Sequence, residues 1–140
     1  MATLIRADLS EKNQYWISKH RHYELKHFCL QYPDWKREYA LLGVPTLSSS
    51  VLESIPSGSG MPSDPTVQYI LRKDSFYEKI ELIERIAMET DKYLYEYILK
   101  AVTEGLSYTY LKSRLNIPCG KSMYYDRYRK FFWLLSKTRN

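Results

Sequence analysis

Apolar side chains along this chain recur at the three-and-four spacing that lines one face of an α-helix, and nowhere do they alternate over a length that would make a strand. The clearest run is TVQYILRKDSFYEKIELIERIAMET, residues 66–90, where Val67, Ile70, Leu71, Tyr77, Ile80, Ile83, Ile86 and Ala87 share a face and the opposite face is charged. At 1.5 Å rise per residue such a helix is roughly 37 Å long. That exceeds what the core of a small domain needs, so part of the stripe is expected to pack on a second copy of the chain.

Ahead of this run, residues from about Glu11 to Gln31 contain no proline or glycine, and Tyr15, Trp16, Ile17, Tyr23, Leu25 and Phe28 make a ragged apolar stripe. A helix is expected there, ending at Tyr32-Pro33 because the residue before proline disfavours the helical region. Pro33 then suits the start of a short second helix, Asp34 to Leu42, closed at Gly43. Residues 43–65, GVPTLSSSVLESIPSGSGMPSDP, hold four of the six prolines and three of the five glycines among many serines. They read as a flexible linker.

After the long helix, Leu94, Tyr97, Ile98, Ala101 and Val102 mark a helix from about Asp91 to Glu104, stopped at Gly105. Ser107 is placed to cap a helix from Tyr108 to Leu115 with Leu111 and Leu115 inward. A last helix runs from Ser122 to Ser136, with Tyr124, Tyr128, Phe131 and Leu135 as its inner stripe against Leu111, Leu115 and Ile117. The expected fold class is all-α: an N-terminal helical segment 1–42, a flexible linker 43–65, and a helical domain 66–140 that contains a helix-turn-helix at about 107–136.

Charge sharpens this picture. From Gly105 onward there are eight basic residues (Lys112, Arg114, Lys121, Arg127, Arg129, Lys130, Lys137 and Arg139) against Asp126 alone, a balance of +7, which leaves −2 for the first 104 residues and +5 in total. Such segregation is the footprint of a nucleic-acid-binding face. A helix-turn-helix needs a supporting helix, a short helix, a turn and a second helix whose outer face enters the major groove, and residues 91–136 supply that order. The turn LNIPCGKS, residues 115–122, holds Pro118 and Gly120 and is longer than the common three- or four-residue turn. Lys112, Arg114, Lys121, Arg127, Arg129 and Lys130 are the candidate phosphate contacts, and Ser122, Tyr125, Asp126 and Arg129 the candidate base readers. An arginine can grip guanine bidentately, and a carboxylate such as Asp126 can accept from a cytosine amine or orient a neighbouring arginine. The alternative for Asp126 is a pair with Lys130 one turn on.

LKHFCLQYPDWKREYALL, VQYILRKDSFYEKIELIERIA and LSYTYLKSRLNIPCGKSMYYDRYRKFF together resemble, in type and order, the segments of the RinA/ArpU-type late-gene transcriptional regulators of phages of Gram-positive bacteria. The resemblance implies a helix-turn-helix like that of sigma-factor region 4, sequence-specific binding of double-stranded DNA, and control of late phage transcription. RNA polymerase is a further candidate partner, and residues 66–90 a candidate homodimer seam.

Other chemistry is poorly provided for. His20, His22, His27 and Cys29 form the one cluster of metal-ligand types, but structural zinc sites usually join two segments, so no metal is expected. Gly58-Ser59-Gly60 lacks the lysine and helix start of a phosphate loop, and the acidic residues of the long helix alternate with Lys73, Lys79 and Arg85 as a solvated face does. No enzyme activity and no cofactor are expected. Cys29 and Cys119 suit free thiols, and neither a membrane span nor a secretory signal is legible, so the host cytoplasm is the expected location. The rival reading is a helical phage interaction protein, a packaging subunit or an inhibitor of a host nucleic-acid enzyme. There Tyr125, Phe132 and Trp133 would form an exposed patch for a protein partner.

Overall fold

The computed structural model describes residues 12–42 and 65–139, and these are all-helical, with no strand among them. In chain order the helices are α1 (Lys19–Leu30), α2 (Tyr32–Leu42), α3 (Pro65–Thr90), α4 (Tyr95–Glu104), α5 (Tyr108–Leu115) and α6 (Lys121–Thr138). No described helix is long and apolar enough to cross a membrane. The expected linker, except for Pro65, and the expected stop at Gly43 lie outside the described residues.

The chain divides into two compact units that follow packing rather than chain order: Met1–Gln31 with Leu82–Asn140, and Tyr32–Glu81. In the second unit, α2 and the first part of α3 are held by tyrosines and lysine-aromatic contacts. The Tyr39 and Tyr77 rings lie 6.1 Å apart, and Lys79 Nζ sits 5.2 Å over the Trp35 ring. The Tyr69 hydroxyl donates to the Leu42 carbonyl, satisfying one of the acceptors left open at the end of α2. Val67, Ile70, Leu71 and Tyr77 stay largely exposed on α3, whereas Ile80, Ile83, Ile86 and Ala87 are buried. The apolar stripe is thus continuous in sequence but covered only in its later part.

In the first unit, α6 packs on α1 and α4, α1 also packs on α4, and α5 packs on α4. Its core combines rings (Phe28, Tyr124, Tyr128, Phe131, Phe132) with aliphatic side chains (Leu25, Ile83, Ile86, Ile98, Leu111, Ile117, Leu135). The buried threonine hydroxyls are satisfied locally: Thr90 Oγ1 donates to the Ile86 carbonyl at 2.8 Å and Thr103 Oγ1 to the Leu99 carbonyl at 2.6 Å. Gly105 closes α4 in the left-handed region, at φ 71°, where a side chain is disfavoured.

Two helix starts differ from the expected ones by four residues or more. α1 begins at Lys19 and not near Glu11, because Asn13 and Ser18 take the backbone another way. Asn13 Oδ1 accepts from the Tyr15 N–H at 2.8 Å and the Asn13 carbonyl from Trp16 N–H at 3.1 Å, while Ser18, in extended conformation, caps through its hydroxyl. α4 begins at Tyr95 and not at Asp91, because the Asp91 carboxylate turns back on the backbone, its Oδ1 accepting from the N–H groups of Tyr93 at 2.8 Å and Leu94 at 2.9 Å. A third difference is in the stripe of α1. Its buried members are His22, Leu25, Phe28 and Cys29, so an imidazole fills the position that made the stripe ragged.

His22 stands edge-on to Phe132, with ring centroids 4.8 Å apart, and 6.1 Å from Tyr128. Burial, with a smaller push from the Lys26 charge, lowers its pKa to about 4. A base depressed in the folded state protonates first in the unfolded chain. Its stabilising contribution is therefore complete above the ordinary histidine pKa and is lost as pH falls from about 6.5 towards 4, by an amount on the order of 3 kcal/mol. Urea unfolding across this range should show that decline, and His22→Phe, which cannot protonate, should remove most of it relative to wild type.

Candidate nucleic-acid interface

The arrangement α4–α5–turn–α6 is built by a few local devices. Ser107, extended, accepts the Tyr110 N–H at 3.1 Å and starts α5. Asn116 ends α5 in the left-handed region at φ 55°, a conformation that its short polar side chain tolerates, and the Ile117 N–H bonds the Leu111 carbonyl at 3.1 Å. Ile117 is thereby turned inward and fully buried. Residues 116–120 then cross to α6, so the turn is lengthened as the sequence suggests. Tyr108 braces it: its hydroxyl donates to the Cys119 carbonyl at 2.8 Å while its ring lies 5.6 Å from that of Tyr124.

α6 starts at Gly120 without a side-chain cap. Its inner face is the predicted stripe, Tyr124, Tyr128, Phe131 and Leu135, all buried, with Phe132 added. Burial pushes the phenols of Tyr124 and Tyr128 up, so both stay neutral. At its C-terminal end, Arg21 of α1 donates to Ser136 Oγ and to the Ser136 carbonyl, each at 3.1 Å, and also to the Arg139 carbonyl. A cation is thus fixed where the helix dipole is negative.

The candidate residues separate into distinct groups. Lys112, Arg114, Lys121 and Ser122 are exposed, while Tyr125, Asp126, Arg127, Arg129 and Lys130 are partly buried. Lys112 Nζ reaches the Ile117 carbonyl at 3.4 Å, and Tyr125 leans into the tyrosine cluster, 5.0 Å from the Tyr124 ring and 6.4 Å from Tyr108. Arg127 faces a fold contact: Nε donates to Asp91 Oδ2 at 2.9 Å and Nη1 to Asp126 Oδ2 at 2.5 Å. Burial pushes the Asp91 carboxyl up, but the Arg127 hydrogen bond, the two backbone N–H groups and the Arg127 charge outweigh it and hold the group below its ordinary value. Asp126 therefore pairs with Arg127, not with Lys130 one turn on, because the adjacent guanidinium is already anchored beside it.

Of the basic residues in α5 and α6, Arg127 alone is paired with a carboxylate among the described residues. Arg129 is further distinguished by a buried Nε with no hydrogen-bond partner there. The exposed patch expected for a protein partner is not assembled. Phe132 is 1% exposed, and Trp133 is partly covered by Tyr15, 5.4 Å away, with Lys137 Nζ 4.1 Å over its ring. No three His, Cys, Asp or Glu side chains among the described residues are grouped to hold a metal ion; His22 and Cys29 are buried in the aromatic core, and burial pushes the Cys29 thiol up.

Sequence reasoning missed Met123 and Tyr110, which are 46% and 45% exposed. Helical spacing could have found Met123, since it stands three positions before Asp126 and seven before Lys130, off the inner stripe. Asp91 was missed as well, because its partner lies 36 positions away. Comparison of the chain with protein-family models, with curated proteins and with solved structures finds no match.

The Asp91–Arg127 contact predicts a stability signature. Asp91→Ala should cost about 2 kcal/mol, since it loses two backbone bonds and the ion pair, and Arg127→Ala about 1 kcal/mol. In a double-mutant cycle by urea unfolding, the two losses should fall short of additivity by about 1 kcal/mol. Simple additivity would show that the pair contributes nothing.

Proposed function

We propose that the chain is a sequence-specific DNA-binding transcriptional regulator, of the RinA/ArpU phage late-gene type, that presents the N-terminal half of α6 to the major groove. The observation that carries this reading is the set of uncompensated cations on α5 and α6: Arg114, Lys121, Arg129 and Lys130 form no ion pair among the described residues, although the chain holds sixteen carboxylate side chains. A merely solvated helix face usually interleaves its charges; a phosphate-binding face leaves them unpaired, ready to release condensed counterions.

Supporting features are the helix order, the lengthened but braced turn, and the uncapped start of α6, whose backbone N–H groups favour a phosphate oxygen. Lys112, Arg114, Lys121 and Lys130 serve as phosphate contacts. Ser122, Asp126 and Arg129 are the base readers, and Tyr125 contributes from the flank. Arg127 moves from the contact set to a supporting role, holding Asp126 in a fixed direction so that its remaining acceptor capacity can meet a cytosine amine. The exposed Val67, Ile70, Leu71 and Tyr77 on α3 offer a surface for a second copy, and RNA polymerase remains a candidate partner on the same reading.

Binding of a DNA duplex should weaken linearly with log salt concentration. Arg114→Ala, Lys121→Ala and Lys130→Ala should each weaken all duplexes alike and reduce the slope by about one per lost phosphate contact. Selection from a random duplex library should enrich one motif with the wild type, and Arg129→Ala should blur it. Unchanged slopes in all three variants, or no enriched motif, would remove α5 and α6 from any sequence-reading interface.

A further inference from the structure

Met123 is an apolar side chain in the first turn of α6, 46% exposed, on the side away from the buried stripe, with Lys121 and Ser122 exposed immediately before it. Its thioether cannot donate a hydrogen bond and accepts only weakly, so whatever it gains from a partner must come from apolar contact. It stands one turn before Asp126, whose carboxylate is directed by Arg127 at 2.5 Å, and two turns before Lys130. The braced turn fixes this first helical turn at its base, through the 2.8 Å bond from Tyr108 to the Cys119 carbonyl.

The floor of the major groove offers hydrogen-bonding groups at every base pair but one apolar group, the C5-methyl of thymine. Resting on the DNA reading above, we infer that Met123 is a specificity-determining residue that packs on a thymine methyl. Three residues of helix rise about 4.5 Å, against about 3.4 Å per base pair, so Met123 and Asp126 address neighbouring base pairs. The assignment is a thymine beside a cytosine, the first recognised by its methyl and the second by its amine.

The test uses the full chain and the duplex enriched in selection, with each thymine replaced in turn by deoxyuridine, which deletes the methyl alone. Wild-type protein should lose affinity roughly three- to fivefold at one position, the order expected for one buried methyl, and Met123→Ala should bind the thymine and uracil forms of that position equally. Met123→Leu, still apolar, should keep the discrimination. Both substitutions fall on a half-exposed site in a first helical turn, and unchanged melting temperatures will show that folding is intact. The same uracil profile in wild type and Met123→Ala overturns the assignment, as does a wild type indifferent to uracil throughout. If no duplex is enriched at all, the DNA reading fails first and the Met123 assignment falls with it.

Discussion

The aromatic inner face of α6 governs the first unit. Tyr124, Tyr128, Phe131 and Phe132 are each at most 7% exposed, and so much ring surface on one helix cannot be covered by the short α5 and its turn. It is covered because α1 packs on the same helix, bringing Leu25, Phe28 and His22 into the core. The arrangement has electrostatic consequences. An imidazole enclosed by rings must stay neutral, while an arginine one position earlier, outside the ring cluster, can reach the open carbonyls at the end of α6. The one side-chain polar atom buried without a partner among the described residues is Arg129 Nε, so the tyrosine hydroxyls bring their rings into the core without leaving an unpaired polar atom.

The same packing divides the cations of the last helix between folding and surface. Asp91 is needed where α3 gives way to α4, since its Oδ1 ends the turn there, and its second oxygen then lies close enough to fix Arg127. A guanidinium held by two carboxylates has little left to offer a phosphate, since leaving Asp91 would strand a partly buried charge. Lys121 and Arg114 have no such contact among the described residues. Position within one basic helix therefore decides which charge stabilises the fold and which is offered outward.

The elements whose evidence lies within a few residues were legible in the sequence. The three-and-four spacing gave α3, α5 and α6 to within a residue or two, and Gly105 and Ser107 marked a stop and a start through local backbone chemistry. What escaped was set by competition or by distance. Asn13, Ser18 and Asp91 each draw backbone N–H groups into turns, and propensity alone does not say when a side chain wins over a helix. His22 reads as polar in any hydropathy pattern, and only the rings of Tyr128 and Phe132, more than a hundred positions away, make its site apolar. For the candidate site, charge segregation pointed to α5 and α6. It could not separate Arg127 from Lys130, because the difference lies in Asp91.

The geometry of α6 limits how much sequence one chain can read on the proposed function. Trp133 is partly covered by Tyr15 and Lys137, so the outward face is open mainly over the N-terminal half of the helix. The nine residues from Lys121 to Arg129 span about 13.5 Å at 1.5 Å each, which matches about four base pairs at about 3.4 Å. A site so short recurs constantly among the roughly one million or more competing positions of a bacterial genome. Phosphate contacts raise affinity without narrowing that choice. Selectivity must then come from a second reading surface held at fixed spacing, either another copy of the chain or a larger complex that itself contacts DNA. The uncovered apolar residues of α3, Val67, Ile70 and Leu71, are suited to a contact of that kind, since they lie outside the helices that would face the groove.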